Sequence, residues 1–442
     1  MGGTPHAAGP LQAPEPRPDR PDRPVRPATD AVRAVRRSLR RAAPALALYA
    51  AVRLTGMVAM AVWAWRLGRH PLTLLGHSWD AIWYAGIARH GYGTSFPSPD
   101  WPGLTFSDLA FFPLLPGLAR AVALVTPLGA VGAGLLVAWL ASGTAAWGMF
   151  AVGDRLHGRR AAFCLVLLWG LLPHAIVQSM AYTEPLLTAL AAWSLYAVLT
   201  GRWLWAGSLA LLAGLCRPNG IAVAAAVCCC AAVAVFGRTE TGGAALCRTE
   251  AGGTARARTE AGGAALCHTE AGGAAPRWRV CAGAALSPLG WLGYLGWVGA
   301  RRGDPLGYFA VQADWGSRFD LGRDTLRSVR HVLLGDDVLA VYMVPAVLGA
   351  ALVSLVLLVL DRPPLALLVY TLVLVAITLG GGGAHYFASK PRFLLPAFPL
   401  LLPAALAMAR ARQRTAVVAA GALAGLSCLY GTYLLTVAPL PM

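Results

Sequence analysis

The sequence predicts an all-α polytopic membrane protein, and three observations carry that prediction. Hydrophobic residues make up 57% of the chain and charged residues only 13%, about half the charge of an ordinary soluble domain. The apolar residues gather into runs near the ~20 residues a helix needs to cross a bilayer. The short alternating segments that a membrane β-barrel requires do not occur. Mean hydropathy is +0.58.

The formal net charge is +17. In a soluble chain that excess would point to nucleic acid. Here the arginines concentrate at the N-terminus and in short loops, which positive-inside bias accounts for, so no nucleic-acid partner is expected. Lys390 is the only lysine of the chain. The nine cysteines form no CxxC pair and most lie in apolar runs. Neither a disulfide framework nor a zinc site is expected from them.

Residues 1–43 are rich in Pro, Arg and Asp and carry few large apolar side chains, so they read as a disordered cytoplasmic tail. Arg33, Arg36, Arg37, Arg40 and Arg41 end at the first apolar run and hold the N-terminus in the cytoplasm. The membrane domain follows over 44–437. Its first span is 44–66, and the loop 67–110 then lies outside. Further runs lie near 111–126, 128–152, 161–180, 184–200, 203–215, 219–236, 280–299, 337–360, 364–380, 393–409 and 414–437. That makes about 11–12 candidate spans. Arg155, Arg159 and Arg160 argue for an inside loop that a plain count puts outside, a conflict removed if 111–126 is re-entrant. Residues 238–275 are a decapeptide repeat beginning RTETGGAALC, read as a flexible low-complexity loop insertion.

Ionisable residues near membrane depth are costly and each needs a reason. The stretch HSWDAIWYAGIARHGYG at 77–93 places Asp80, Trp83, Tyr84 and Ile87 along one helical face. Ser78 is a candidate cap and Gly91 a candidate stop. The stretch reads as an amphipathic helix on the outer membrane surface. An aromatic anchor explains Trp79, Trp83 and Tyr84 but leaves the Asp80 carboxylate unexplained. In QSMAYTEPLLTAL at 178–190, Tyr182 and Glu184 begin a span; a plain helix start, with Thr183 as cap, is the competing reading. In CRPNGI at 216–221, Arg217 and Asn219 occupy a break between apolar runs, where freed backbone groups line protein or a wet cavity; a snorkelling arginine is the competing reading.

RRGDPLGYFAVQADW at 301–315 carries Asp304 and Gln312 on a short helix in a polar loop. AHYFASKPRFLLPAFPLLLP at 384–403 clusters His385, Lys390 and Arg392 before a Pro-rich span. Two cations at a membrane surface suit a phosphate; a positive-inside flank is the competing reading. No HExxH, Walker loop or Ser-His-Asp pattern occurs, and the GGGGA at 380–384 lacks a strand–helix context.

Taken in order, WDAIWYAGIARHGY, FFPLLPGLAR, AYTEPL, RPNG, GDPLGYFAVQADW and PRFLLPAFPL resemble the PIG-V-type mannosyltransferases over roughly 45–410. That family serves the GPI pathway in eukaryotes and has bacterial relatives. The resemblance implies a GT-C fold with its active site on the outer face and a polyprenyl-phosphate sugar donor, such as polyprenyl-phosphate mannose. It also implies an essential acidic residue in the first outer loop, which by position is Asp80. The arginine-rich composition suggests a GC-rich, actinobacterial-like source, where GPI anchors are not expected. The acceptor is then a lipid-linked or cell-envelope molecule.

The expected chemistry is inverting transfer. Asp80 takes the proton from the acceptor hydroxyl, while Arg217, Lys390 or Arg392 stabilises the leaving polyprenyl phosphate. Trp79, Trp83 and Tyr84 stack on sugar or guide lipid. One carboxylate is too few to predict a divalent ion, so no cofactor is assigned and metal dependence stays open. Membrane lipids are expected partners, and a membrane subunit is left open. The alternative is a transporter or flippase, which the Pro-Gly break at 216–220 also suits. A transporter should show matching halves and mid-span charges, and only Arg53 is clearly mid-span.

Overall fold

The computed structural model describes residues 27–97, 103–237, 275–335, 338–383 and 386–438. Most of the decapeptide insertion, His385 and the first 26 residues lie outside them. The chain divides into two units, Met1–Arg41 and Ala42–Met442. In the first, the described residues are helical: α1 runs Pro27–Arg66. The part of the expected tail that is described, residues 27–43, is helical. Ala, Arg, Leu and Val are good-to-fair helix formers, and their run continues without a break into the apolar residues that follow.

The second unit is all-α, as the apolar runs predict. In order follow α2 (Pro71–Gly76), α3 (Asp80–His90), α4 (Leu114–Val125), α5 (Ala130–His157), α6 (Arg159–Gly170), α7 (Glu184–Leu199), α8 (Trp203–Gly214) and α9 (Ile221–Phe236). Then come α10 (Arg277–Leu286), α11 (Leu289–Arg302), α12 (Gly307–Asp314), α13 (Arg323–Leu334), α14 (Leu339–Leu360), α15 (Leu365–Gly380), α16 (Lys390–Phe393), α17 (Leu402–Arg410) and α18 (Gln413–Thr436). Among the described residues five helical stretches are long and apolar enough to cross a membrane: Val32–Arg66, Ala130–His157, Pro218–Phe236, Leu339–Leu360 and Gln413–Thr436. Shorter apolar helices lie at α4, α7, α8, α15 and Phe398–Arg410.

Several runs expected as single spans are broken. The run 161–180 is α6 followed by a loop and a 3-10 turn at Ala175–Ser179. The run 280–299 divides at Pro288 into α10 and α11, and 393–409 divides among α16, a 3-10 turn at Phe398–Leu401 and α17. Proline removes a backbone donor and crowds the preceding turn; the breaks fall at Pro173, Pro288, Pro396 and Pro399, whereas Pro44 of α1 and Pro345 of α14 are held inside a helix.

The core centres on α5, α6, α7, α8 and α9, with α15 and α17 packed on it. Small residues allow close approach: Gly207 of α8 faces Gly283 of α10 with no room for a Cβ on either. Arg53 is accounted for within this packing. It donates to Ser179 Oγ at 3.0 Å and to the Gly170 carbonyl, at the end of α6, at 3.4 Å. Two short antiparallel pairs tie loops together: β1 (Ser95–Pro97) with β2 (Thr105–Ser107), and β3 (Arg318–Phe319) with β4 (Gly381–Gly382).

Candidate active site

Four of the predicted residues, from four separate segments, meet in one chain of alternating charge. Arg392 Nη2 lies 2.7 Å from Asp80 Oδ2. Its Nε lies 3.8 Å from Glu184 Oε1, which in turn lies 2.6 Å from Arg217 Nη1. The order is Asp80, Arg392, Glu184, Arg217. Arg392 and Glu184 are buried, Arg217 is nearly so, and Asp80 keeps 24% of its side chain exposed. Two carboxylates and two guanidiniums balance, as buried charge must.

Local structure puts each group in place. Asp80 is the first residue of α3, and Trp79 before it has φ +49°. A tryptophan in the left-handed region is strained backbone, of the kind that clusters at functional sites. Ser78 does not cap α3, and Gly91 does end it. Of the face drawn from the sequence, Tyr84 and Ile87 are buried and Asp80 and Trp83 are half-buried. Ala81, Tyr84, Ala85, Ile87 and Ala88 are buried, and α3 packs on α4 and α5.

The segment 181–184 is strapped to α2 and to the loop before α3. Ala181 N donates to the Leu75 carbonyl at 3.1 Å, and Tyr182 Oη to the Ser78 carbonyl at 3.4 Å. Thr183 does not cap α7. Its hydroxyl lies 3.2 Å from the Tyr84 hydroxyl. Glu184 is the first residue of α7, where the helix dipole favours a carboxylate. Arg217 precedes the 3-10 turn Pro218–Gly220, which also holds the buried Asn219. Gly220 sits so close to the Ala213 carbonyl that a Cβ has no place, which accounts for the glycine after Asn219. Arg217 is thus an ion-paired core residue and not a snorkelling one.

Aromatic faces surround the cations. The Arg392 guanidinium lies 5.0 Å from the Tyr182 ring centre and 5.1 Å from that of Phe393; Arg217 lies 5.0 Å from Phe393. Several buried nitrogens have no hydrogen-bond partner: Arg392 Nε and Nη1, and Arg217 Nε and Nη1. Arg217 Nη1 lies 2.6 Å from Glu184 Oε1 and is taken up by that ion pair, which leaves Arg392 Nε and Nη1 and Arg217 Nε as spare donors. Buried guanidinium donors left over in this way suit an added acceptor. Burial pushes the Asp80 carboxyl above its usual range, against the pull of the Arg392 guanidinium.

One turn along α3 from Asp80, Trp83 stacks on Phe96 at 5.2 Å and Phe111 at 5.5 Å, with Trp315 edge-on at 5.2 Å. These rings come from three of the sequence motifs and one hairpin, and form an aromatic wall. Trp315 is held by its Nε1 donating to the Ser107 carbonyl at 3.0 Å.

The remaining predicted residues stand apart from the charge chain. The buried Lys390 Nζ donates to the carbonyls of Thr378 and Gly381, capping the end of α15. Asp304 is exposed and accepts from Leu306 N within its own turn, and the short helix begins only at Gly307. Gln312 donates to the buried Tyr308 hydroxyl at 2.9 Å. His385 lies outside the described residues.

Sequence reasoning missed Phe393 and Thr183, and it missed Asp108. Asp108 is 2% exposed and its Oδ2 accepts from Gly93 N and Thr94 N, both at 2.8 Å. The rule that singled out Asp80, an ionisable group in an apolar region, also applies to it. Among the described residues no group of three or more His, Cys, Asp or Glu gathers with metal-holding geometry.

No family model matches the chain, and no curated protein does. Solved structures show a distant likeness to it. The archaeal oligosaccharyltransferase AglB from Archaeoglobus fulgidus, in complex with an inhibitory peptide and a dolichol-phosphate, has a TM-score of 0.42 at 13% identity, over 88% of this chain and 55% of that one. The Archaeoglobus fulgidus oligosaccharyltransferase in complex with Zn and sulfate has a TM-score of 0.40 at 12% identity, over 87% of this chain and 52% of that one. The chain spans about half the length of these enzymes. Likeness of this degree assigns neither residues nor activity.

Proposed function

We propose that this protein is an integral membrane glycosyltransferase of GT-C type that moves a sugar, with mannose the leading candidate, from a polyprenyl-phosphate donor to a lipid-linked or cell-envelope acceptor on the outer face. The observation that carries the reading is the Asp80–Arg392 pair. It sets a partly exposed carboxylate against a guanidinium with unused buried donors. The ordered PIG-V-like motifs support it, because four of the six supply the charges of this chain: Asp80, Glu184, Arg217 and Arg392.

In the reaction, the Asp80 carboxylate takes the proton of the acceptor hydroxyl. The hydroxyl oxygen bonds to the anomeric carbon as the bond from that carbon to the phosphate oxygen breaks. Polyprenyl phosphate leaves with the electron pair, and the configuration inverts. Asp80 then releases the proton to water. Arg392 and Arg217 receive the growing negative charge, which counts for most where water is excluded. Glu184 holds both arginines in place. The Trp83 wall offers flat faces for the sugar or the first isoprene units.

The donor class is tested with membranes holding the protein, given labelled mannose as polyprenyl-phosphate mannose in one arm and as a nucleotide sugar, with endogenous polyprenyl-phosphate mannose synthesis blocked, in the other. Transfer from the lipid donor alone is expected. Direct transfer from the nucleotide sugar would overturn the reading. Movement of the lipid donor across the bilayer without transfer would favour the flippase alternative.

A further inference from the structure

The loop after α12 holds a second site unrelated to the charge chain. α13 has one buried edge, formed by Thr325 and Val332. Its exposed residues are Arg323, Leu326, Arg327, Arg330, His331, Leu333 and Leu334. Arg323, Arg327 and Arg330 fall at i, i+4 and i+7 and form a basic stripe, and all three are exposed. Beside the stripe stand Leu326 and Leu333, 71% and 68% exposed, with Leu334 at 76%. Large leucines do not face water in such numbers on a short helix without a partner. Asp324 opposes the basic charge in part, 3.4 Å from Arg327 in an exposed pair, and Asp336 and Asp337 follow Gly335 in the sequence.

The position of α13 says what covers it. It ends four residues before α14, an apolar helix long enough to cross the membrane. The Tyr342 hydroxyl in the first turn of α14 donates to the Gly335 carbonyl at 2.6 Å, which fixes the corner. Thr325 Oγ1 donates to the Leu379 carbonyl at 2.8 Å at the end of α15, the end that Lys390 caps two residues from Arg392. α13 is thus tied to the ends of two apolar helices, one of them long enough to cross a membrane. A cleft of about 340 Å³, lined by Arg327, Arg330, His331, Leu334 and Gly335, opens beside the basic stripe.

We infer that α13 is an interfacial helix whose Arg327–Arg330–His331 cleft binds the headgroup phosphate of an anionic bilayer lipid while Leu326 and Leu333 enter the acyl boundary, on the same side of the membrane as the charge chain. The leucine flank supplies insertion and the arginines supply the lipid preference. Glycosyl transfer is not required for it, so the proposal stands or falls separately from the proposed function.

The test is hydrogen exchange of the 323–335 amides in the full-length protein, reconstituted in nanodiscs of phosphatidylcholine or of equimolar phosphatidylcholine and phosphatidylglycerol. Exchange in wild type is expected to slow several-fold in the anionic discs. In an Arg327→Gln/Arg330→Gln variant the slowing is expected to vanish, since each arginine near an anionic surface strengthens binding about five-fold. Both side chains are exposed, so the variant keeps the fold; exchange of the α5 amides checks this. Adding inorganic phosphate to phosphatidylcholine discs is expected to change nothing. Equal exchange in the two discs, slowing that survives in the variant, or slowing by inorganic phosphate alone would each overturn the proposal.

Discussion

Asp80 Oδ2 and Arg392 Nη2 stand 2.7 Å apart although more than three hundred residues separate them in the chain. The pair joins the first residue of α3 to the four-residue helix before the Pro-rich turn. Removing one partner of such a pair leaves a charge uncompensated in a low-dielectric setting. Arg392→Gln is expected to cost about 3–5 kcal/mol of stability and about 10²–10³ in turnover. Arg392→Lys keeps the charge but loses the fork, and should recover much of the stability and little of the rate. Thermal unfolding in detergent and transfer assays at equal abundance separate the two losses.

Glu184 and Arg217 form the other half of the charge chain. Each single neutralisation, Glu184→Gln or Arg217→Gln, strands its partner in the core. The double variant strands neither, so its destabilisation should fall below the sum of the singles. The expected coupling is within about 0.5–3 kcal/mol, read from a double-mutant cycle of Tm-derived stabilities. Simple additivity would mean that the two charges do not see each other.

The Asp80 carboxyl is raised by burial, and the base must be ionised to act. Activity should therefore fall as pH drops through a value above the ordinary aspartate pKa of about 3.9. Arg392 pulls the carboxyl downward. Any residual activity of Arg392→Gln should accordingly show its acid limb moved to higher pH. An unmoved limb would assign the titration to another group.

The left-handed backbone of Trp79 precedes the base. Trp79→Gly relieves strain worth about 1–3 kcal/mol but frees the joint that aims Asp80. Turnover should drop about tenfold or more, since small misplacements cost that much, while Tm changes little. Lys390→Met is the counter-case. The Thr378 and Gly381 carbonyls lose their donor, costing about 1–3 kcal/mol, while KM for the donor lipid stays within a factor of about two.

The four charges are legible in the sequence because of what they cost. In a chain this apolar, Asp80, Glu184, Arg217 and Arg392 stand out because lipid penalises them individually. Their convergence is not readable there, since it depends on how α3, α7, the 3-10 turn and α16 pack. Lys390 stands out by the same criterion yet caps a helix, because nothing in its own segment reveals where the end of α15 lies. Phe393 looks like one more apolar residue until two guanidiniums are found over its ring. Helix existence follows from apolar runs, whereas their breaks at Pro173, Pro288 and Pro396 turn on local backbone chemistry that hydropathy does not register. Thr183 looks like a cap and instead meets Tyr84, a choice made by tertiary packing.

The central claim, that Asp80 is the base of a lipid-phosphate-dependent glycosyl transfer, is tested most directly by one comparison. Membranes holding equal amounts of wild type and Asp80→Asn are given polyprenyl-phosphate mannose with labelled sugar, and label is followed into lipid and envelope fractions. Asparagine preserves the shape and a hydrogen bond to Arg392 while removing the base. The account predicts transfer by wild type and a loss of at least about 10² in the variant. Transfer at the wild-type rate by Asp80→Asn would contradict it.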